Sequence, residues 1–250
     1  MGLVLPVLTI MPNILALDTA TDACSVAVSC DGKIHHCCEL IPRQHNQRLF
    51  SMLGEVLPQA DLRKAGMDML AYNQGPGSFT GLRIAASAVQ GLAFSNDLPV
   101  AGISTLACMA QGAWRRGEIP ESATALVLLD ARINEIYWGV YELEDGLARA
   151  RQADRVATPA SLPADLAEDA GEFVAIGSGL CHAEAMPQGV RSRWQLTLPE
   201  LWPDSLDLLA LGEHCYRTGQ LSSAEQVLPV YLRDEIGWKK LAEQGKQNSA

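Results

Sequence analysis

The chain alternates short apolar runs with polar turns from its first clear element onward. Asn13–Leu17 reads NILAL, runs into Asp18 and the turn DTATDA, and gives way to a second run at Cys24–Cys30, CSVAVSC. Asp31-Gly32 follows, a dipeptide suited to hairpins because both positions tolerate positive φ, and Lys33–Leu40, KIHHCCEL, completes a meander of three strands. The order recurs in Leu126–Gly146, LVLLDARINEIYWGVYELEDG, where Asp130 falls on Asp18 at an offset of 112 residues. Tyr137 then aligns with Ser25 and Val140 with Val28, and the second Asp-Gly comes two residues late. Residue identity between the copies is low, so pattern alone carries the reading of an internal duplication.

Helical periodicity fills the space between the meanders. Leu49, Met52, Leu53, Val56 and Leu57 follow the i, i+3, i+4, i+7, i+8 spacing of an amphipathic helix, with Phe50 beside the stripe and Pro58 at its end. A short strand at Asp68–Tyr72 leads into the loop GPGSFTGLR, and Leu82, Ala86, Val89, Leu92 and Ala93 predict a helix over Phe79–Asn96. Leu98-Pro99-Val100 enters another strand, Glu172–Ile176 a further one before Gly177-Ser178-Gly179, and Ser205–Tyr216 a last helix. Residues 147–170 are polar and rich in Pro and Ala, without a clear element. Two such units, each with an Asp ending its first strand, predict an α/β protein of the actin-like, sugar-kinase-like ATPase class (a duplicated ribonuclease H-like fold). Its two subdomains carry mixed sheets flanked by helices. The expected division is 13–105 and 106–235, with flexible termini at 1–12 and 236–250.

Composition narrows the function classes. With 250 residues, 48% hydrophobic and 19% charged, the chain can bury a large core. A formal net charge of −10 repels phosphate backbones, so direct nucleic-acid binding is disfavoured and any service to RNA calls for a partner. Seven cysteines form no CxxC pair and fall mostly in apolar stretches, which reads as reduced thiols in a cytoplasmic, reducing compartment. The apolar start MGLVLPVLTIMPN lacks a basic flank and a cleavage signal, so no leader or membrane anchor is expected, and Met11 is a candidate natural start. His35-His36-Cys37-Cys38 resembles a metal tract, yet neighbours on a strand face opposite ways, and two same-side ligands do not close a zinc site. The expectation is no metal, and nothing in the pattern positions a Cys–His nucleophile. His45, His182 and His214 stand apart from any HxxxH or HExxH pattern.

GPGSFTG leaves two readings open. Gly75, Gly77 and Gly81 permit positive φ and close backbone approach, Pro76 stiffens the entry, and Ser78 can cap the helix. A glycine turn before a helix can cradle a phosphate, or it can let strand and helix pack closely. It is not a P-loop, since GxxxxGK[ST] is absent. Asp18 with Thr19 and Thr21 is suited to a vestigial nucleotide or Mg²⁺ contact; Asp130 is followed by Ala131 and Arg132, which offer no hydroxyls.

ILALDTATDACSVAV, RQHNQRLFSML, GPGSFTGLRIAASAVQGLAFSNDLPVAGISTL, LLDARINEIYWGVY and PVYLR together resemble the TsaB (YeaZ) family, from about Asn13 to Arg233. Tyr72-Asn73-Gln74, Ala85 and Asn46 depart from the usual family pattern. The resemblance implies a noncatalytic subunit of the machinery forming N6-threonylcarbamoyladenosine in tRNA. That subunit binds the transferase TsaD as a heterodimer, joins the ATPase TsaE, meets tRNA only through the complex, and forms a homodimer when TsaD is absent. It implies no cofactor of its own, with room for ATP or ADP at the subunit interface. The contact would use the first two helices, so His45, Leu49, Phe50, Leu53, Leu82, Val89 and Leu92 are the candidate interface residues. By alignment Thr105 and Met109 take the two histidine positions of the transferase's metal motif. The rival readings are an active small-molecule kinase or ATPase of the same fold and a metallopeptidase.

Overall fold

The computed structural model describes residues 11–57, 62–162, 166 and 172–233. Pro58, most of the expected flexible termini and most of the last third of the 147–170 stretch lie outside the described residues.

The first sheet is built from β1 (Ile14–Asp18), β2 (Ala23–Cys30), β3 (Lys33–Leu40), β4 (Met69–Gly75) and β5 (Val100–Ser104), in the order β3-β2-β1-β4-β5. The meander pairs antiparallel, while β4 and β5 run parallel to β1. The second sheet holds β6 (Thr124–Arg132), β7 (Glu135–Glu144), β8 (Leu147–Ala150), β10 (Phe173–Ile176) and β11 (Trp194–Leu198), ordered β11-β10-β6-β7-β8, with β9 (Arg155–Ala157) against β7. Strand for strand the two orders coincide, as a duplicated actin-like fold requires. The expected alignment is corrected by one residue. Asp18 pairs with Ser25, whereas Asp130 pairs with Ile136, so Ile136 and not Tyr137 takes the place of Ser25. The cause is local: Arg132, Ile133 and Asn134 all adopt positive φ and close a shorter turn, with a register shift between Asp130 and Arg132.

Helices cover the sheets because the central strands, β1 and β4 in the first and β10 in the second, are buried on both faces. α1 (His45–Val56) and α2 (Phe79–Asn96) bury Leu49, Met52, Leu53, Val56 and Val89 against Leu15, Leu17, Val26 and Val28, while Leu82 is buried beside Gly75. α2 starts at Ser78, whose hydroxyl accepts the Gly81 amide, and ends at Asp97 in the left-handed region. α3 (Thr105–Arg115) is capped by Ser104 and packs against the second sheet. A single turn, α4 (Gln188–Arg191), precedes β11. α5 (Ser205–Thr218) is capped by Asp204 and stops at Gly219.

The chain then crosses back. Leu208, Leu209 and Leu211 of α5 pack on Ile14, Ala16, Ala27 and Ala71, the other face of the first sheet. Val100 pairs with Ser222, and the Val230 amide donates to Gln74 O. The first sheet ends at Ser104 and α3 joins the second core, while the segment after Asp204 packs back on the first unit.

Candidate functional site

The glycine turn is locked between two segments of backbone. Ser78 N donates to Ala20 O at 2.7 Å, and Thr19 Oγ1 donates to Gly81 O at 2.7 Å. A Cβ on Gly77 would lie 2.4 Å from Ala20 O, and one on Gly81 only 1.9 Å from Thr19 O. On the other side, a Cβ on Gly75, where φ is +130°, would meet Val230 O at 2.4 Å. These glycines thus serve close approach of main chain to main chain. Pro76 follows a cis peptide bond. The Asp18–Ala20 segment and the returning tail thus stand directly against the turn.

Asp18 lies beneath this turn, fully buried. Oδ1 accepts from Ala20 N at 2.9 Å and from Asn73 Nδ2 at 2.8 Å, while Oδ2 has no hydrogen-bond partner. Burial raises its pKa to about 7, against the lowering effect of Asn73 and the Ala20 amide. Thr19 and Thr21 are buried too. The trio expected to face a nucleotide is inside the protein, which corrects that expectation for this conformation.

The outer face of α1 and α2 is different in character. A groove of about 540 Å³ runs between the helices, lined by Asn46, Leu49, Phe50, Phe79, Thr80, Arg83, Ile84, Ser87 and Ala88. Phe50 is 58% exposed and Phe79 50%. The returning tail extends the patch: the Tyr231 ring sits 5.3 Å from that of Phe79, Arg83 Cζ stands 3.8 Å over Phe79, and Arg83 Nε donates to Tyr231 Oη at 3.0 Å. Leu228 is also exposed, as is Phe94 at the far end of α2.

Of the seven expected interface residues, His45, Leu49, Leu53, Leu82 and Val89 are buried and Leu92 is half-buried. His45 Nε2 lies 3.2 Å from Ala23 O, a contact that ties α1 to β2. The correction has a simple cause. The clean apolar stripe of each helix is what the sheet buries, and a second face must be read from residues off that stripe, of which Phe50 is one. Sequence reasoning misses Phe79 and Tyr231; their signal is an aromatic at the first turn of α2 and another inside PVYLR.

The second aspartate turn stays open. Asp130 N donates to Ser178 Oγ, and its carboxylate faces His182 Nε2 and Arg132 Nη1, each at 3.2 Å. Cys181, His182 and Asp130 bring three candidate ligand atoms within 4.8 Å of one another. Arg132 already neutralises this carboxylate, and Cys181 keeps its proton because partial burial and then Asp130 raise its pKa. Thr105 and Met109 are fully buried at the start of α3.

The sequence matches known proteins along nearly its whole length. It is 39% identical to the tRNA threonylcarbamoyladenosine biosynthesis protein TsaB of Escherichia coli over 92% of this chain and 98% of that one. The Haemophilus influenzae protein of the same name is 35% identical over 92% and 97%. The chain belongs to the TsaB family. YeaZ from Pseudomonas aeruginosa superposes with a TM-score of 0.80 at 39% identity, covering 89% of this chain and all of that one. A second Pseudomonas aeruginosa structure, described as similar to peptidase YEAZ, gives 0.81. The family model for TsaD, tRNA N6-adenosine threonylcarbamoyltransferase, matches residues 38–178, a relationship between the TsaB family and that transferase. Among the described residues no helix is long and apolar enough to cross a membrane.

Proposed function

We propose that this chain is a noncatalytic cytoplasmic subunit in the formation of N6-threonylcarbamoyladenosine in tRNA, binding a TsaD-type transferase through the outer face of α1 and α2. Membership of the TsaB family supports the pathway. The observation that carries the docking role is the exposed cluster of Phe50, Phe79 and Tyr231 around the groove, since rigid aromatics beside an apolar groove are typical anchors of protein interfaces. The chemistry falls to the partner: Thr105 and Met109 offer no imidazole to a metal, and the buried Asp18 is withdrawn from any nucleotide. A net charge of −10 supports tRNA contact through the complex, with TsaE and any ATP or ADP acting at subunit boundaries. Without the transferase, the same face would serve self-association.

Calorimetric titration of the full chain with its cognate TsaD tests this reading. Phe50→Asp should weaken binding at least about tenfold, roughly 1.4 kcal/mol, while leaving the melting temperature unchanged because the ring is exposed. Undiminished affinity would remove α1 from the interface. Mg-ATP turnover by the isolated chain, abolished by Asp18→Asn, would favour the kinase reading instead.

A further inference from the structure

His36 and Cys38 stand two residues apart on β3, so their side chains leave the same face of the first sheet. Register says which face. His36 pairs with Ala27 and Cys38 with Ser25, and Ser25 Oγ accepts the Ser205 amide at the start of α5. Cys37, between them, points the other way, its thiol against Met52 O of α1. The strand alone offers two ligands. The third comes from the far end of the chain, because α5 crosses back and sets its capping residue, Asp204, over this edge.

His36 Nε2 lies 2.8 Å from Asp204 Oδ1, yet it makes no aligned hydrogen bond. Imidazole nitrogen and carboxylate oxygen thus converge at ion-pair distance on one side of β3. One donor atom from each of His36, Cys38 and Asp204 lies within 4.8 Å of the other two. We propose that these three residues form a binding site for a zinc-type divalent cation at the edge of the first sheet, with a fourth position open to water.

The donor set of imidazole, thiolate and carboxylate suits a tetrahedral borderline-soft ion and disfavours Mg²⁺ or Ca²⁺, which take oxygen ligands. Partial burial, then the charges of Asp204 and Asp18, keep the metal-free thiol protonated. Binding therefore forms the metal–sulfur bond and releases that proton to solvent. Arg115 and Arg116 face the same carboxylate from behind, 3.7 and 3.8 Å from Oδ2. Arg115 is held by Asp207, and Oδ1, on the His36 side, keeps a lone pair beyond its bond to Leu206 N. One thiolate and one carboxylate offset the charge of the ion, so the two arginines lower affinity without closing the site. The ion would join the exposed edge strand to α5.

Stripping the full chain with a chelator and titrating it with Co²⁺ alone, then with Zn²⁺ against a chromophoric chelator, tests the site. One equivalent should bind with a near-ultraviolet sulfur-to-cobalt band, and zinc should raise the melting temperature. Cys38→Ser, on an exposed strand, should abolish the band and weaken zinc binding more than about tenfold. Asp204→Asn keeps a capping oxygen and should also weaken zinc binding, which decides the matter if the serine variant is unstable. Cys181→Ser, in the other cluster, should leave the band and affinity unchanged. Absence of the band in the parent, or its survival in Cys38→Ser, would overturn the proposal.

Discussion

The two aspartate turns descend from one pattern and have opposite fates. At the first, the glycine turn closes over Asp18, with backbone contacts too tight for any Cβ and a carboxylate without solvent. At the second, Gly177 and Gly179 press on Leu128 in the corresponding way. A Cβ on Gly177 would lie 2.4 Å from the Leu128 carbonyl oxygen, and one on Gly179 would lie 2.9 Å from the Leu128 Cβ. Asp130 itself is only partly buried, between Arg132 and His182. The shared topology thus preserves glycine after the fourth strand of each unit as a packing device. Whether the neighbouring aspartate is sealed depends on what covers it. The returning tail lays its backbone on the first turn, with Val230 O on Gly75 and Tyr231 on Phe79, whereas it reaches the second through the Arg233 side chain, which donates to Ala131 O.

That contrast can be broken at several strengths. Gly81→Val should be the most damaging single change, costing more than about 3 kcal/mol and preventing recovery of folded protein, because backbone at 1.9 Å cannot yield as a side chain can. Recovery of a soluble variant with parental unfolding in urea would show that the two turns are not interlocked.

Asp18→Asn probes the sealed carboxylate. The folded pKa of about 7 lies above the ordinary value of 3.8, so folding favours the protonated acid. Its contribution is fully present below about pH 4 and is lost as pH rises through 7, because the unfolded chain releases the proton first. Between pH 5 and pH 8 the stability difference should move in favour of the variant by roughly 3 kcal/mol, measured by urea unfolding at both values. A pH-independent difference would contradict the burial. The same substitution at Asp130 should change stability by no more than about 1 kcal/mol, since its ion-pair partner Arg132 is largely exposed.

Tyr231→Ala is expected to act in between on function and weakly on the fold. It removes the Arg83 hydrogen bond and the Phe79 contact, costing about 1 kcal/mol of stability, and should weaken TsaD binding several-fold in the titration used for Phe50→Asp. Equal affinity would confine the docking face to the helices.

Much of the architecture was legible because local periodicity and turn chemistry are written in adjacent residues. The meander around Asp31-Gly32, the inward stripe of α1, the extent of α2 and the start of α5 at Ser205 all follow from short-range pattern. The duplication was legible as well, but its register slipped by one at the second turn. Three consecutive positive φ angles at Arg132–Asn134 are unusual for such residues and leave no sequence mark. Most of the expected interface positions are buried, since the most regular apolar spacing belongs to the face that the sheet covers.

By itself, the sequence determined the element types, their repeated order and family membership. Those properties depend on residues close along the chain or on similarity summed over its length. Only the tertiary structure decided that Asp18 is sealed, that Tyr231 joins Phe79 beside the groove, and that Asp204 meets His36 and Cys38. Each of these depends on the chain crossing back after the second sheet. A contact between distant segments is set by burial of whole faces, which no short stretch of residues specifies.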